Sequence, residues 1–157
     1  MAIHKVDGVD GANNFPKKHV VLHGTAAITA GNVVMLNLAD TTNGLGGSVV
    51  TCTNTANGEQ LALGIAVETT TDAGTIKIQT AGKYENANVG TPTVAGDSLI
   101  CSNASDAAVG RLVVYAAADV APIFAVALES ENAATGVEPA SGLVNKADIM
   151  IYDKGFF

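Results

Sequence analysis

The stretches ITAGNVVMLN (28–37) and TVAGDSLICSN (93–103) decide how this chain is read. Each sets Ala-Gly and a small polar residue ahead of an apolar run, and their glycines, Gly31 and Gly96, stand 65 positions apart. Three further blocks recur in the same order. GSVVT from Gly47 parallels GRLVV from Gly110 at 63 positions, and IAVE (65–68) parallels VALE (126–129) at 61. TIKIQTAGKY (75–84) parallels DIMIYDKGFF (148–157) at 73, keeping both isoleucine pairs, the glycine and the closing aromatic. The order of the blocks makes the chain an internal repeat, with copies at about 24–85 and 89–157.

The blocks have the pattern of strands. In TIKIQ, Ile76 and Ile78 alternate with Lys77 and Gln79, the period of two of a half-buried strand, and Ile149 and Ile151 keep the same parity. Turn-forming clusters such as TTNGLGG, TANGE, TTDAG and SNASDAAVG separate the blocks at the spacing of a β-sandwich or barrel. The alanine-rich YAAADVAPIFAVALES (115–130) invites a helix. Pro122 interrupts it, and the repeat maps its ends onto strand-like blocks, which leaves room for no more than a short helix at 116–120. The expected fold is therefore all-β: a small sandwich or barrel built from two pseudo-repeats. Residues 1–23 form an extended N-terminal arm plus a first strand, HVVLHG, and residues 24–157 form the body. The second copy is longer between Asn132 and Lys146, the place for an exposed loop.

Composition limits what such a body can do. The chain has 157 residues, 48% hydrophobic and 15% charged, which suits one folded domain and excludes a disordered one. Its apolar content is mostly Ala and Val, so each buried side chain contributes little and association between subunits would help. The net charge of −7 is uneven: residues 1–23 carry +1 and the remainder −8. An acidic body repels a phosphate backbone, so nucleic acid is excluded as a direct partner. No apolar run approaches the roughly 20 residues of a membrane span, and the N-terminus lacks a signal peptide's apolar core. A soluble protein made in the cytosol is expected.

The chemistry-bearing residues favour structural roles. His19 and His23 lie four apart in a β-like stretch, roughly 13 Å along a strand, too far for one ion. Cys52 and Cys101 have no metal or redox spacing and are expected to be small buried residues. GLGGS (44–48) precedes a strand and lacks the helix and lysine of a phosphate loop, so it is read as a hairpin loop. DGVDG lacks the alternating oxygen ligands and distal glutamate of a calcium loop. No serine stands in GxSxG, and Glu68 and Glu129, though related by the repeat, are expected to carry solvated charges beside turns. The chain is not expected to be an enzyme or to hold a cofactor or metal.

The succession AGNVVML, LGIAVETTTDAGTIKIQTAGKYE, AGDSLICSNASDAAVG, FAVALE and ADIMIY resembles the capsid cement, or head decoration, family of tailed bacteriophages. The resemblance spans about 27–152 and rests on an AG(D/N) step into a strand, a G(I/V)A strand, an AG turn and a strand ending in Gly-aromatic. It departs at Phe124-Ala125, which stand where the first copy has Gly64, and in the longer loop and arm. It implies a virion protein on the capsid exterior that bridges major capsid subunits, commonly as a homotrimer at three-fold positions. The family has no catalytic residues to transfer. In this light the basic arm is the expected contact with capsid or neighbouring subunit, through His4, Lys5, Phe15, Pro16, Lys17 and Lys18. Phe15 would be its apolar anchor and Pro16 would restrict the chain beside it. The alternative is a β-sandwich module on a virion that binds a glycan or receptor, which a chain with no Trp and seven other aromatic residues equips poorly.

Overall fold

The structure is a computed structural model that describes residues 16–43, 47–52, 62–102, 109–117, 122–129 and 145–153. Among these residues the fold is all-β, with nine strands: β1 (Lys18–Gly24), β2 (Val33–Leu36), β3 (Ser48–Thr51), β4 (Ala62–Ala66), β5 (Gly74–Val89), β6 (Ser98–Cys101), β7 (Leu112–Val114), β8 (Ala125–Ala127) and β9 (Asn145–Ile151). The alanine-rich stretch supplies β8 and no helix in its described part, while 118–121 lie outside the described residues. The segment read as a long loop is likewise outside them, except that Asn145 and Lys146 already belong to β9.

The strands close two five-stranded barrels that share β5. In the first, the order β1-β3-β2-β4-β5 returns to its start because β5 also pairs with β1. In the second, β5-β7-β6-β8-β9 closes through the pairing of β9 with β5. Closure removes the exposed edges that an open sheet would offer to aggregation. The sixteen residues of β5 are divided between them. Gly74 to Ala81 pair with β1, and Gly82 to Val89 pair with β9.

The two barrels have one topology. In each, the first strand runs parallel to the third and antiparallel to the last, so β1 in the first barrel corresponds to the second half of β5 in the other. The first strand, grouped by sequence with the arm, thus completes the first barrel. Val34 faces Thr51 and Gly64, and Leu99 faces Val114 and Ala125, which reproduces the offsets of 65, 63 and 61. The fourth offset needs correction. Ala66 pairs with Ile78 and its counterpart Ala127 pairs with Ile149, so the last strands correspond at 71 and not 73. Ile149 is the partner of Ile78, Ala147 that of Ile76, and Ile151 that of Thr80. A slip of two preserves the face of a strand, so all four isoleucines are buried under either alignment.

The AG steps earn their glycines: Gly31 and Gly96 take φ of +86° and +95°, the left-handed region that glycine enters freely. Each then donates its N–H across the barrel, Gly31 to Ala66 O and Gly96 to Ala127 O, both at 2.8 Å.

Two packed clusters fill the molecule. One lies within the first barrel and contains Ile28, Val34, Val49, Leu63, Ala66, Ile76 and Ile78. The other fills the second barrel around Leu99, Leu112, Phe124 and Ile149, and it also takes in Val33, Cys52, Ala62 and Ile65 from the first. Those four side chains project outward from the first barrel, and the second barrel is seated on them. Polar contacts fix the seat. Asn88, 1% exposed, donates through Nδ2 to Ala30 O at 3.0 Å and Asn32 Oδ1 at 2.5 Å, and its N–H reaches Gly31 O at 2.9 Å. The Tyr84 hydroxyl donates to Ala66 O at 3.0 Å, and Gly110 exchanges backbone bonds with Cys52 and Val33.

Candidate interaction surface

Of the six contact residues expected from sequence, His4, Lys5 and Phe15 lie outside the described residues. Pro16, Lys17 and Lys18 are described and exposed, at the entry to β1. Their position follows from β5. At Gly82 the strand passes from one barrel to the other with φ +87°, and a Cβ there would stand 2.7 Å from the carbonyl oxygen of Pro16. A glycine is needed both for the turn of the backbone and for the close passage of the arm's root. Buried Gln79 bridges the same crossing, donating through Nε2 to Ala81 O at 3.1 Å and Lys83 O at 2.8 Å.

Lys18 begins β1 opposite Ala81, next to a register shift, and its ammonium pairs with the Asp153 carboxylate just beyond β9. The last basic residue of the arm region is therefore held to the body, beside both barrels. His19 lies exposed on β1, where partial burial, then the Lys77 and Lys17 ammoniums, lower its pKa below the usual 6.5, opposed by a hydrogen bond with Gln79. Alternation along β1 turns Val20 and Leu22 into the first barrel and leaves His19, Val21 and His23 facing outward.

On the other side of the crossing, Lys83 pairs with Asp148 at 2.9 Å and Glu85 at 3.4 Å, and these carboxylates raise its pKa. Glu68 and Glu129 have matching tasks: Glu68 Oε1 accepts the Lys77 N–H at 2.8 Å, and Glu129 Oε1 accepts the Asp148 N–H at 3.1 Å. Both side chains fasten the end of one strand to its neighbour. Among the described residues no three His, Cys, Asp or Glu side chains are grouped as a metal site would require.

A surface missed by the sequence reading lies on the second barrel. Val94, Tyr115, Ile123 and Leu128 are large, apolar and 38 to 61% exposed. Their signal in the sequence is faint because Val94, Ile123 and Leu128 sit beside strands and break no alternation. Only the matching of barrels shows that they share a face. The Asn88 seat was equally hidden, since asparagine in a strand carries no mark of a buried amide network.

No protein-family model matches the chain, and no curated protein matches it. Among solved structures it is similar to the N base of head fiber gp8.5 in bacteriophage phi29, with a TM-score of 0.53 and 12% identity. That similarity covers 88% of this chain and 96% of the other, so it embraces both barrels. It is a likeness of fold.

Proposed function

We propose that the protein is a structural component of a tailed-phage virion that binds the outer surface of the capsid and cements neighbouring major capsid subunits. The observation that carries this reading is the double-barrel fold itself, shared across nearly the whole chain with the base of a phage head fiber. The order of repeated blocks, which resembles head decoration proteins, points the same way. Closed barrels, a seat fixed by buried amides and an arm rooted on the shared strand suit an adhesive role. Such a protein must present contacts rigidly, so that little ordering is lost on docking.

The mechanism is multivalent binding. The protein acts as a homotrimer whose arms and bodies engage equivalent capsid sites. After one subunit binds, the remaining contacts are effectively intramolecular, which raises avidity by factors of roughly a hundred or more. The arm region has a net charge of +1 against −8 for the rest, so it can lie on an acidic neighbour that would repel the body.

Cosedimentation with purified expanded capsids tests the reading. The full chain should pellet with capsids and raise the temperature at which they rupture. A chain lacking residues 2–15 should keep the thermal midpoint of the free body and bind at least about tenfold more weakly, equivalent to about 1.4 kcal/mol. Failure of the full chain to bind any capsid, with binding to a glycan array instead, would replace cementing by receptor recognition.

A further inference from the structure

We propose that the outer face of β1 and the adjoining start of β5, which carries Lys17, His19, Val21 and Lys77, is the surface by which the body docks on an acidic protein surface, taking up carboxylates at the places where the second barrel supplies its own. The proposal rests on the reading of the protein as an adhesive virion component and names the chemistry of the surface to which it adheres.

The two barrels put different charges in the same places. Val20 pairs with Ile78 in the first and Tyr84 with Ile149 in the second, so His19 corresponds to Lys83, Lys77 to Asp148, and Val21 to the bulge of Glu85 and Asn86. In the second barrel this group is neutralised within the chain. Lys83 is paired with Asp148 at 2.9 Å and with Glu85 at 3.4 Å, and Asp148 also accepts the Asn86 N–H at 3.2 Å. In the first barrel the same places hold a histidine, a valine and a lysine, and no carboxylate stands at any of them. Glu68 does not make up the difference: it accepts the Lys77 N–H, and its counterpart Glu129 accepts the Asp148 N–H in the same way.

The first barrel therefore gathers like charges on one face. Partial burial, and then the Lys77 and Lys17 ammoniums beside it, hold the pKa of His19 below the usual 6.5. Among the described residues neither of those lysines has an ion-pair partner, whereas the neighbouring Lys18 is paired with Asp153. Lys17, His19 and Lys77 are exposed, and Val21, directly opposite Lys77 in the strand register, is 59% exposed. A carboxylate from outside, set where Asp148 stands in the other barrel, would turn the repulsion between these groups into attraction. Val21 gives such a contact an apolar centre within a charged rim.

The occupant that fits is a protein and not a polyanion. A nucleic acid or an anionic membrane presents phosphates over a wide area, and the charge of −8 outside residues 1–23 would hold the rest of the body away from it. A protein surface offers a few carboxylates locally, together with apolar groups for Val21. The face is also continuous with Pro16 and Lys18 at the entry to β1, so arm and body would meet the same neighbour.

Lys77→Glu tests the arrangement by placing a carboxylate where the second barrel has Asp148. The free variant should keep or raise the thermal midpoint, and the NMR titration midpoint of His19 should rise above that of the parent, because a neighbouring cation has become an anion. It should bind purified expanded capsids at least about tenfold more weakly than the parent. Arg111→Glu, an equal change of net charge elsewhere on the body, should bind as the parent does. Deca-glutamate gives a second measurement that needs no capsid. Added to the full chain at low salt, it should shift the NMR signals of His19, Val21 and Lys77, leave those of Lys83 in place, and lose its effect at high salt. Parental capsid binding by Lys77→Glu would overturn the proposal and leave the cementing role standing. A parent that binds no capsid but takes up deca-glutamate at this face would end the cementing reading and support the acidic partner. No shift at this face, or a stronger response there to a DNA oligonucleotide or to anionic vesicles than to deca-glutamate, would overturn the proposal.

Discussion

Ile78 and Ile149 hold the same place in the two barrels: Ile78 pairs with Ala66 across the first, Ile149 pairs with Ala127 across the second, and both side chains are fully buried. Each lies in a different packed cluster. Truncation to alanine should therefore cost about 2 to 5 kcal/mol at either site, from lost burial and the cavity left behind. Urea unfolding of Ile78→Ala and Ile149→Ala would measure it. A loss at one site several times that at the other would show that the barrels do not contribute alike.

Thr93 occupies the position in the second copy that Ile28 occupies in the first, and both are 1% exposed. The hydroxyl of Thr93 has no hydrogen-bond partner among the described residues. Thr93→Val removes a buried polar group and keeps the shape, so it should stabilise the protein by about 1 kcal/mol. A rise in the thermal midpoint is the expected readout, and a fall would mean that the hydroxyl is satisfied.

Much of the fold could be read from the repeat. Val34 and Leu99, Thr51 and Val114, Gly64 and Ala125 are matched in space as the blocks matched them in sequence. The last block was misaligned because Gly82 and its neighbouring aromatic resemble Gly155 and Phe157, whereas strand pairing is set by Ile78 and Ile149. A period of two cannot distinguish the alignments, since both bury the same side chains. Sharing of β5 was illegible for another reason: nothing in TIKIQTAGKYENANV announces that one strand changes barrels at Gly82. The exposed apolar residues of the second barrel were illegible too, because Val94, Ile123 and Leu128 sit beside strands and break no alternation.

The barrel seat offers a third test. Asn88 donates three hydrogen bonds to the Ala30–Asn32 turn and accepts one from Lys146, whose ammonium is partly desolvated and has a lowered pKa. In Asn88→Leu the backbone N–H keeps its bond to Gly31, but Ala30 O, Asn32 Oδ1 and the Lys146 ammonium each lose a partner. A loss of about 2 to 4 kcal/mol is expected from the side-chain bonds removed at this buried seat. Hydrogen exchange should report it first at Gly31 and Asn32.

The pH dependence of stability has a local source at His19. Its folded pKa is depressed by burial and by Lys77 and Lys17, so the unfolded chain binds the proton more readily. Stability is then at its full value above 6.5 and declines as pH falls from there through the folded pKa. His19→Gln should flatten that part of the profile, and an NMR titration of the ring should give a midpoint below 6.5. A midpoint above it would reverse the sign.

The sixteen-residue β5 also bears on how the molecule yields to force. A pull that separates β1 from β9 must pass along one uninterrupted backbone, because each barrel lends half of its closure to the same strand. Tension entering at the arm's root crosses the hydrogen bonds between β1 and β5, and the backbone of β5 then carries it to the far barrel alongside the seat. A tether built this way transmits load without stretching, and it gives way as a whole.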